Sequence, residues 1–346
     1  MSELDHFRPD YNSARAYFRE LAEKRDWKLY ALAVDEAEGL FIDVALWRGS
    51  SKRLVIHTSG VHGVEAFPGS AVQCAFLSSW QPKISPLPSI ALIHCINPFG
   101  MRFLRRWNAQ NVDLNRNFLS SLNTLPSSPF YDRLSNFLNP QSSRQLSWFA
   151  LRALKLLVKH RFSALQQAIA QGQYSNPKGL FFGGRQPATE TTLLLSFVQQ
   201  HLIHYPVVRG IDFHTGLGKF GQPSIFMEPH LGLDALQQAE SIFNRSIISA
   251  NAKTRQSYQT QGSLVAGLKA LYSDKNFWMV TQEVGTVGPI KILQALRREN
   301  FNFHHQLEQQ QKAGILLKKV FSPGGNAWQR AAVHLGYQAL TQLINA

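Results

Sequence analysis

Histidine and carboxylate side chains follow short apolar runs of the sequence, where chemistry is often placed. The first such group comprises His62 and Glu65, in the segment HGVE after the run 54–56. At this spacing, one helical turn or a tight loop would point both side chains at the same spot. An imidazole with a carboxylate is a common ligand pair for a hydrolytic zinc ion. The spacing alone is a weak signal, because such pairs also arise by chance.

Two further strand-like runs end in side chains of the same kinds. Residues 207–213 lead directly to His214, and residues 277–283 end on Glu283. With the first pair, the chain offers two imidazoles and two carboxylates. Three protein ligands leave the fourth position of a zinc ion for water, whose pKa the metal lowers to about 7. A carboxylate that is not a ligand then takes the proton of that water as general base.

The elements that must position these groups form an alternation of strands and helices. Apolar runs bounded by turn residues predict the strands, and helical periodicity and proline starts predict the helices. The predicted strands are 28–34, 40–47, 53–58, 89–96, 207–213, 224–227 and 277–283. The main predicted helices are 14–24, 71–77, 234–250, 263–271 and 326–344. This alternation predicts an α/β fold with a mixed sheet covered on both faces.

Residues 126–205 differ in composition from the rest of the chain. Between Asp132 and Glu190 there is no acidic residue, and there are eight Lys or Arg residues. Leucines at helical spacing in this stretch predict a basic helical insertion. The stretch has no linker composition, so we expect residues 1–346 to form a single catalytic domain that carries the insertion.

Composition narrows the class of protein. Of the 346 residues, 44% are hydrophobic and 11% are aromatic, which suffices for a sizeable core. The formal net charge of +14 indicates a basic surface, with an anionic substrate or a polyanionic partner as the sharper interpretation.

Residues 1–27 contain no apolar run typical of a signal peptide, and no stretch reaches the ~18 apolar residues of a membrane span. Cys74 and Cys95 lie in apolar stretches, and we expect free thiols in a cytoplasmic protein without a membrane partner.

Five short motifs follow one another along the chain: HGVE, NPFG, VDLNRNF, DFHTG and QEVGT, spanning residues 57–288. In this order they resemble the zinc carboxypeptidase superfamily, and most closely a bacterial branch whose members carry a domain of unknown function. The resemblance implies a three-layer α/β/α sandwich around a mixed, largely parallel sheet of about eight strands. It also implies one zinc ion per chain.

The resemblance implies a role for each matching residue of the metal site. His62 and Glu65 match the first two zinc ligands, and His214 matches the third. Glu283 matches the catalytic carboxylate that activates water and then passes the proton to the leaving amine.

Further matches concern the substrate. Asn115 and Arg116, in VDLNRN, match the pair that binds the terminal carboxylate of the substrate. A guanidinium suits this task because its fork makes two parallel hydrogen bonds. Arg106, in RRWN, matches the arginine that stabilises the oxyanion, with Arg105 as the alternative.

Several positions stay open at this stage. The family often supplies a tyrosine from a mobile loop, and both Tyr258 and Tyr272 lie in the corresponding region without a clean match. For Asp113 and Asp212 we favour structural hydrogen bonding, with a second metal site as the alternative. We expect Asp212 to point to the strand face opposite His214.

These observations predict a zinc metallopeptidase of carboxypeptidase type that hydrolyses an amide bond near a free carboxylate. The alternative with the same chemistry is a small-molecule deacylase of N-acyl amino acids, similar to aspartoacylase and succinylglutamate desuccinylase. A polyanion-binding protein is the alternative of another class, based on the charge and the acid-free insertion. No nucleic-acid-binding motif or interleaving of basic and aromatic residues supports a nucleic-acid partner. The oligomeric state and the substrate's side chain are left open.

Overall fold

The computed structural model of the protein describes residues 3–82, 86–119, 125–160, 162–249 and 261–346. Its strands are β1 Lys28–Asp35, β2 Leu40–Trp47, β3 Arg53–Ser59, β4 Ser89–His94, β5 Val207–Gly216, β6 Pro223–Met227, β7 Ile248–Ser249 and β8 Asn276–Gly285. The eight described strands form one sheet in the order β1-β2-β4-β3-β5-β8-β6-β7. The four central strands β4, β3, β5 and β8 are parallel to one another. Antiparallel pairs, β2 with β4 and β6 with β8, extend the sheet on either side.

Helices account for most of the remaining described residues. They are α1 Tyr11–Glu23, α2 Ala66–Ser79, α3 Pro98–Arg102, α4 Pro129–Leu138, α5 Ser143–Ser147, α6 Phe149–Lys159, α7 Phe162–Ala170, α8 Thr189–His201, α9 Leu233–Phe243, α10 Leu264–Leu271, α11 Pro289–His305, α12 Gln310–Phe321 and α13 Asn326–Asn345. None of the helices in the described ranges combines the length and apolar composition that a membrane span needs.

The sheet lies between two layers of helices, because successive side chains of each strand point to opposite faces. Side chains of α1, α2, α9 and α13 pack on one face, against residues that include Val55, Ile211 and Val280. Side chains of α8 and α10 pack on the other face, against residues that include Ile56 and Met279. The protein is therefore a three-layer α/β/α sandwich with a mixed sheet, as the sequence predicted.

The carboxyl ends of β3, β5 and β8 meet at one edge of the sheet, because these strands are parallel neighbours. Open α/β sheets bind their ligands at this edge. His214 and Glu283 occupy paired positions near the ends of β5 and β8. The loop after β3 carries His62 and Glu65 to the same edge.

Several predicted elements differ in extent from the observed ones: the strand expected over 89–96 ends at His94, and the helix expected over 71–77 begins at Ala66. The helix expected over 234–250 ends at Phe243, because Asn244 adopts the left-handed conformation with φ 48°. After this break, Ile248 and Ser249 pair with β6 as the short strand β7.

The basic stretch is helical, as predicted, and comprises α4 to α7 before the chain reaches α8. Its helices pack against α11 and α12 in one cluster of buried apolar side chains. This cluster includes Leu134, Phe149, Leu165, Leu296 and Phe321, together with Val64 from the loop after β3. The insertion therefore covers the loop that carries His62.

Candidate metal centre

The loop after β3 is held by close contact with a neighbouring backbone. Gly63 has no room for a side chain, because a Cβ atom there would lie 2.0 Å from the carbonyl carbon of Gly100. The N–H groups of Gly63 and Val64 donate hydrogen bonds to the carbonyls of Arg106 at 3.2 Å and Arg105 at 3.0 Å. These bonds fix the two arginines beside the histidine that precedes Gly63.

His62, Glu65 and His214 form a buried cluster at the edge of the sheet. One possible ligand atom of each residue lies within 4.8 Å of those of the other two. Nδ1 of His62 is 3.0 Å from Oε1 of Glu65, and Nδ1 of His214 is 3.1 Å from Oε2. Both imidazoles thus turn the same nitrogen toward one carboxylate.

An aspartate holds the far nitrogen of His214. Oδ2 of Asp212 lies 2.6 Å from Nε2 of His214, and its Oδ1 accepts a hydrogen bond from the Thr58 hydroxyl at 2.6 Å. A carboxylate at Nε2 orients the ring and leaves Nδ1 for a metal. The expectation that Asp212 points away from His214 was wrong, because residues two positions apart in a strand lie on the same face.

Nε2 of His62 has two polar neighbours. Oδ1 of Asp113 lies 3.2 Å from it, and Nη2 of Arg106 lies 2.7 Å from it. Asp113 can only accept a hydrogen bond when ionised, and Arg106 can only donate one. Burial alone would raise the pKa of Asp113, but Arg106 and His62 hold it well below its usual range.

The cluster fits a divalent cation. Nδ1 of His62 is buried and lies 3.0 Å from Oε1 of Glu65, but it forms no well-aligned hydrogen bond with any described residue, although buried polar atoms are nearly always paired. Two imidazole nitrogens and a carboxylate oxygen are donors that zinc takes in proteins. The unpaired nitrogen faces the Glu65 carboxylate, which is the direction in which a shared cation would bind.

Charges within the cluster keep Glu65 ionised. Burial alone would raise the pKa of Glu65, but His62 and His214 hold it below its usual range. Burial alone would lower the pKa of His214, whereas Asp212 and Glu65 raise it well above its usual value. A carboxylate that is ionised at neutral pH is the form that binds a metal.

Glu283 stands beside the cluster without belonging to it. Its Oε2 accepts a hydrogen bond from the Leu217 N–H at 3.2 Å. Burial raises the pKa of Glu283 to about 8. A carboxyl group with a pKa near neutrality, close to the metal ligands, can both take up and release a proton.

The two adjacent arginines have different surroundings. Arg106 lines the cavity at the cluster. Its Nη1 donates to Oε1 of Glu65 at 3.1 Å and its Nε donates to Oδ2 of Asp113 at 3.2 Å. Arg105 is fully buried and its Nε donates to Oε1 of Glu299 at 2.7 Å. Of the two, Arg106 faces the cluster.

Asn115 and Arg116 line the same cavity and lie in a 3₁₀ turn, Leu114–Arg116. Oδ1 of Asn115 accepts a hydrogen bond from the N–H of Leu264 at 2.9 Å. Nη1 of Arg116 donates to the carbonyl of Asn115 at 2.6 Å. These bonds hold the pair against the first turn of α10.

Of the two candidate tyrosines, Tyr258 and Tyr272, only Tyr272 lies in the described part of the chain. Tyr272 is fully buried, and its hydroxyl donates to the carbonyl of Leu202 at 3.1 Å. Its ring stacks on Phe277 with 5.4 Å between centres, so it belongs to the core and not to the cavity. Tyr258 lies outside the described residues.

Several polar residues around the cavity were missed by the sequence analysis, among them Thr215, Glu228 and Ser263. The N–H of Thr215 donates to Oε2 of Glu65 at 3.0 Å, and Glu228 and Ser263 line the cavity. Thr215 is part of the motif DFHTG and could have been singled out there. No local pattern marks Glu228 or Ser263, since only folding brings them near the cluster.

Comparison with known proteins gives a family and a fold. The family model described as "Protein of unknown function (DUF2817)" matches residues 7–334. No curated protein sequence matches the chain. The structure of bovine thrombin-activatable fibrinolysis inhibitor, in complex with tick carboxypeptidase inhibitor, superposes with a TM-score of 0.52 at 12% identity and covers 98% of each chain. Carboxypeptidase A from Helicoverpa armigera gives a TM-score of 0.52 at 14% identity, covering 98% of this chain and 75% of that one.

Proposed function

This chain belongs to the DUF2817 family and has a carboxypeptidase-like fold, and from that premise we propose that it is a zinc-dependent amide hydrolase. The reaction is of carboxypeptidase type, on a peptide or an N-acyl amino acid with a free carboxylate near the scissile bond. One observation supports the proposal: the buried cluster of His62, Glu65 and His214 lies beside Glu283, which is not one of these three possible metal ligands.

His62, Glu65 and His214 are proposed to hold the metal. When bound, zinc supplies a Lewis acid that polarises a carbonyl and lowers the pKa of water to about 7. Asp212 keeps the His214 ring in place through the 2.6 Å contact at Nε2. The N–H of Thr215 holds one carboxylate oxygen of Glu65.

Glu283 is proposed to move the proton. It takes a proton from the attacking water, whose oxygen adds to the amide carbon, and delivers that proton to the amine as the C–N bond breaks. The hydrogen bond from the Leu217 N–H fixes the carboxylate during both transfers. The products are a carboxylic acid and a free amine.

The arginines are proposed to bind negative charge. Arg116 with Asn115 binds the free carboxylate of the substrate, and Arg106 stabilises the charge that develops on the carbonyl oxygen. Burial strengthens both interactions, because the exposed fractions are 2% for Arg116 and 8% for Arg106.

Two further points concern the domain organisation and the alternative function. We propose that residues 1–346 act as one catalytic domain, since all the described strands belong to one sheet. The polyanion-binding hypothesis rests on the net charge of +14 and on the insertion without acidic residues between Asp132 and Glu190. It requires nucleic-acid binding that weakens steeply with salt, and its absence would dispose of that hypothesis.

Elemental analysis of the purified protein, followed by activity assays with and without chelator, tests the proposal. We expect about one zinc ion per chain and loss of hydrolysis of short peptides or N-acyl amino acids on chelation. The variant His62→Ala should lose the metal, and the exposed His334→Ala should retain it. Failure of the wild-type protein to retain zinc, or activity that resists chelation, would overturn the proposal.

A further inference from the structure

An apolar cavity of about 270 Å³ opens from the candidate metal centre into the insertion. We call the side chains of the insertion and α11 that line it the apolar wall. They include Leu134, Phe149, Ala153, Leu156, Ile169 and Leu293. The wall comes from α4, α6, α7 and α11, and all of its side chains are hydrocarbon.

Two side chains of the apolar wall are closely packed, and its other named side chains are half-buried. Leu134 is 3% exposed and Phe149 is 5% exposed, although both line the cavity. They belong to one buried cluster with Leu296 and Phe321. Aliphatic and aromatic side chains that line a cavity bind apolar groups, as an engineered cavity of about 150 Å³ binds benzene.

The wall lies on the side of the cluster where Arg106 is found. The Arg106 guanidinium is 5.4 Å from the ring centre of Phe181, which packs in the same buried cluster as the wall. Asn115 is held against Leu264, at the start of α10, whereas the Arg116 side chain also lies against Gly172 of the insertion. We place the free carboxylate of the substrate at Asn115 and Arg116 and its carbonyl oxygen at Arg106, and this pose directs the acyl half toward the wall.

A peptide does not suit that position. Each peptide unit carries an N–H and a C=O group, and burying either without a partner is unfavourable. The wall offers neither a hydroxyl, an amide nor a charged group among its side chains. An alkyl chain has no polar groups to satisfy, and each methylene that it buries contributes to binding.

We propose that the apolar wall binds the acyl chain of an N-acyl amino acid, so that the enzyme releases a fatty acid and a free amino acid. The inference rests on the proposed amide hydrolysis and names its substrate class. The cavity of about 270 Å³ is larger than the engineered cavity of about 150 Å³ that binds benzene, so it has room for an alkyl chain of several carbons.

The first test compares acyl chains of increasing length on each of three amino acids. N-acetyl, N-butanoyl, N-hexanoyl and N-octanoyl derivatives of glycine, leucine and glutamate are assayed with the zinc-loaded enzyme. We expect kcat/KM to rise roughly three- to fourfold per buried methylene, and at least about 100-fold from acetyl to octanoyl. A profile that is flat or falls with chain length would overturn the assignment while leaving the proposed hydrolysis intact.

A matched pair of variants on α6 tests whether the preference for long acyl chains arises in the cavity. Ala153 lines the cavity, and Ala150 is exposed on the same helix. Ala153→Phe should fill the cavity and remove most of the gain for octanoyl substrates while the acetyl substrate is still cleaved. Ala150→Phe should leave the whole profile unchanged, and equal effects of the two substitutions would argue against the cavity.

A binding measurement separates this inference from the hydrolytic reaction. Decanoic acid is titrated calorimetrically into the metal-free protein and into metal-free Ala153→Phe. We expect binding that weakens at least tenfold in the variant. Such binding without turnover of any substrate would refute the proposed hydrolysis and retain the apolar site. Absence of decanoate binding to the wild-type protein would overturn the inference.

Discussion

His214 and Glu283 are paired in register on the adjacent parallel strands β5 and β8. The proposed metal ligand and the proposed general base are therefore held by one ladder of backbone hydrogen bonds. Sites carried by strands are positioned more firmly than sites carried by loops. Glu65 and His62 approach this pair from the loop after β3, which the close contact of Gly63 with Gly100 holds in place.

Replacing Glu283 with Gln should abolish most turnover without loss of metal. Gln has nearly the same shape but cannot take a proton from water, and general-base catalysis contributes about 10²- to 10⁴-fold. We expect kcat to fall by about 10³-fold, measured with the zinc content determined on the same sample. Normal turnover in a variant that still holds zinc would remove Glu283 from the mechanism.

Replacing Asp212 with Asn should weaken metal binding. The change removes the negative charge 2.6 Å from Nε2 of His214, and such partners are typically worth about 10- to 100-fold in metal affinity. Zinc affinity is measured by competition with a chromophoric chelator. The exposed Asp234→Asn serves as the control and should bind zinc as the wild type does. Unchanged affinity in Asp212→Asn would show that the contact does not support the site.

Replacement of Arg106 should lower the rate of catalysis, whereas replacement of Arg105 should lower the stability of the fold. Arg106→Gln is expected to lower kcat by about 10²- to 10³-fold, because a donor to the developing oxyanion is lost. Arg105→Gln removes the buried ion pair of Glu299 and leaves this carboxylate with the hydrogen bond from Gln310, so the free energy of unfolding should fall by about 3–5 kcal/mol. Steady-state kinetics and urea unfolding of both variants check the contrast. A large loss of kcat in folded Arg105→Gln would reverse the assignment.

The buried His94 should make stability depend on pH. Burial lowers its pKa from 6.5 to about 4, so the native state stays neutral where the unfolded chain takes up a proton. The stability contribution is complete above pH 6.5 and is lost as the pH falls toward 4, by up to about 3 kcal/mol. Urea unfolding at pH 7, 6 and 5 should show a shallower decline in His94→Gln. Parallel profiles for the two proteins would contradict this account.

Much of the fold could be predicted from the sequence alone. The strands 28–34, 40–47 and 207–213 lie within observed strands, because apolar alternation and turn residues are local signals. The helix over 234–250 was overextended, since one left-handed residue, Asn244, ended it against its apolar periodicity. A single backbone conformation of this kind leaves no periodic trace in the sequence.

The sequence by itself determined which residues could do the chemistry: His62, Glu65, His214 and Glu283 each stand at or just after a predicted strand, in motifs with a fixed order. Only the tertiary structure showed which of two adjacent arginines faces the cluster, and only it revealed the apolar wall. Arg105 turns inward and donates a hydrogen bond to Glu299. This partner lies 194 positions away in the chain. The wall likewise joins helices that are distant in sequence. Contacts of this range depend on how the layers pack, which residue types and spacing do not encode locally.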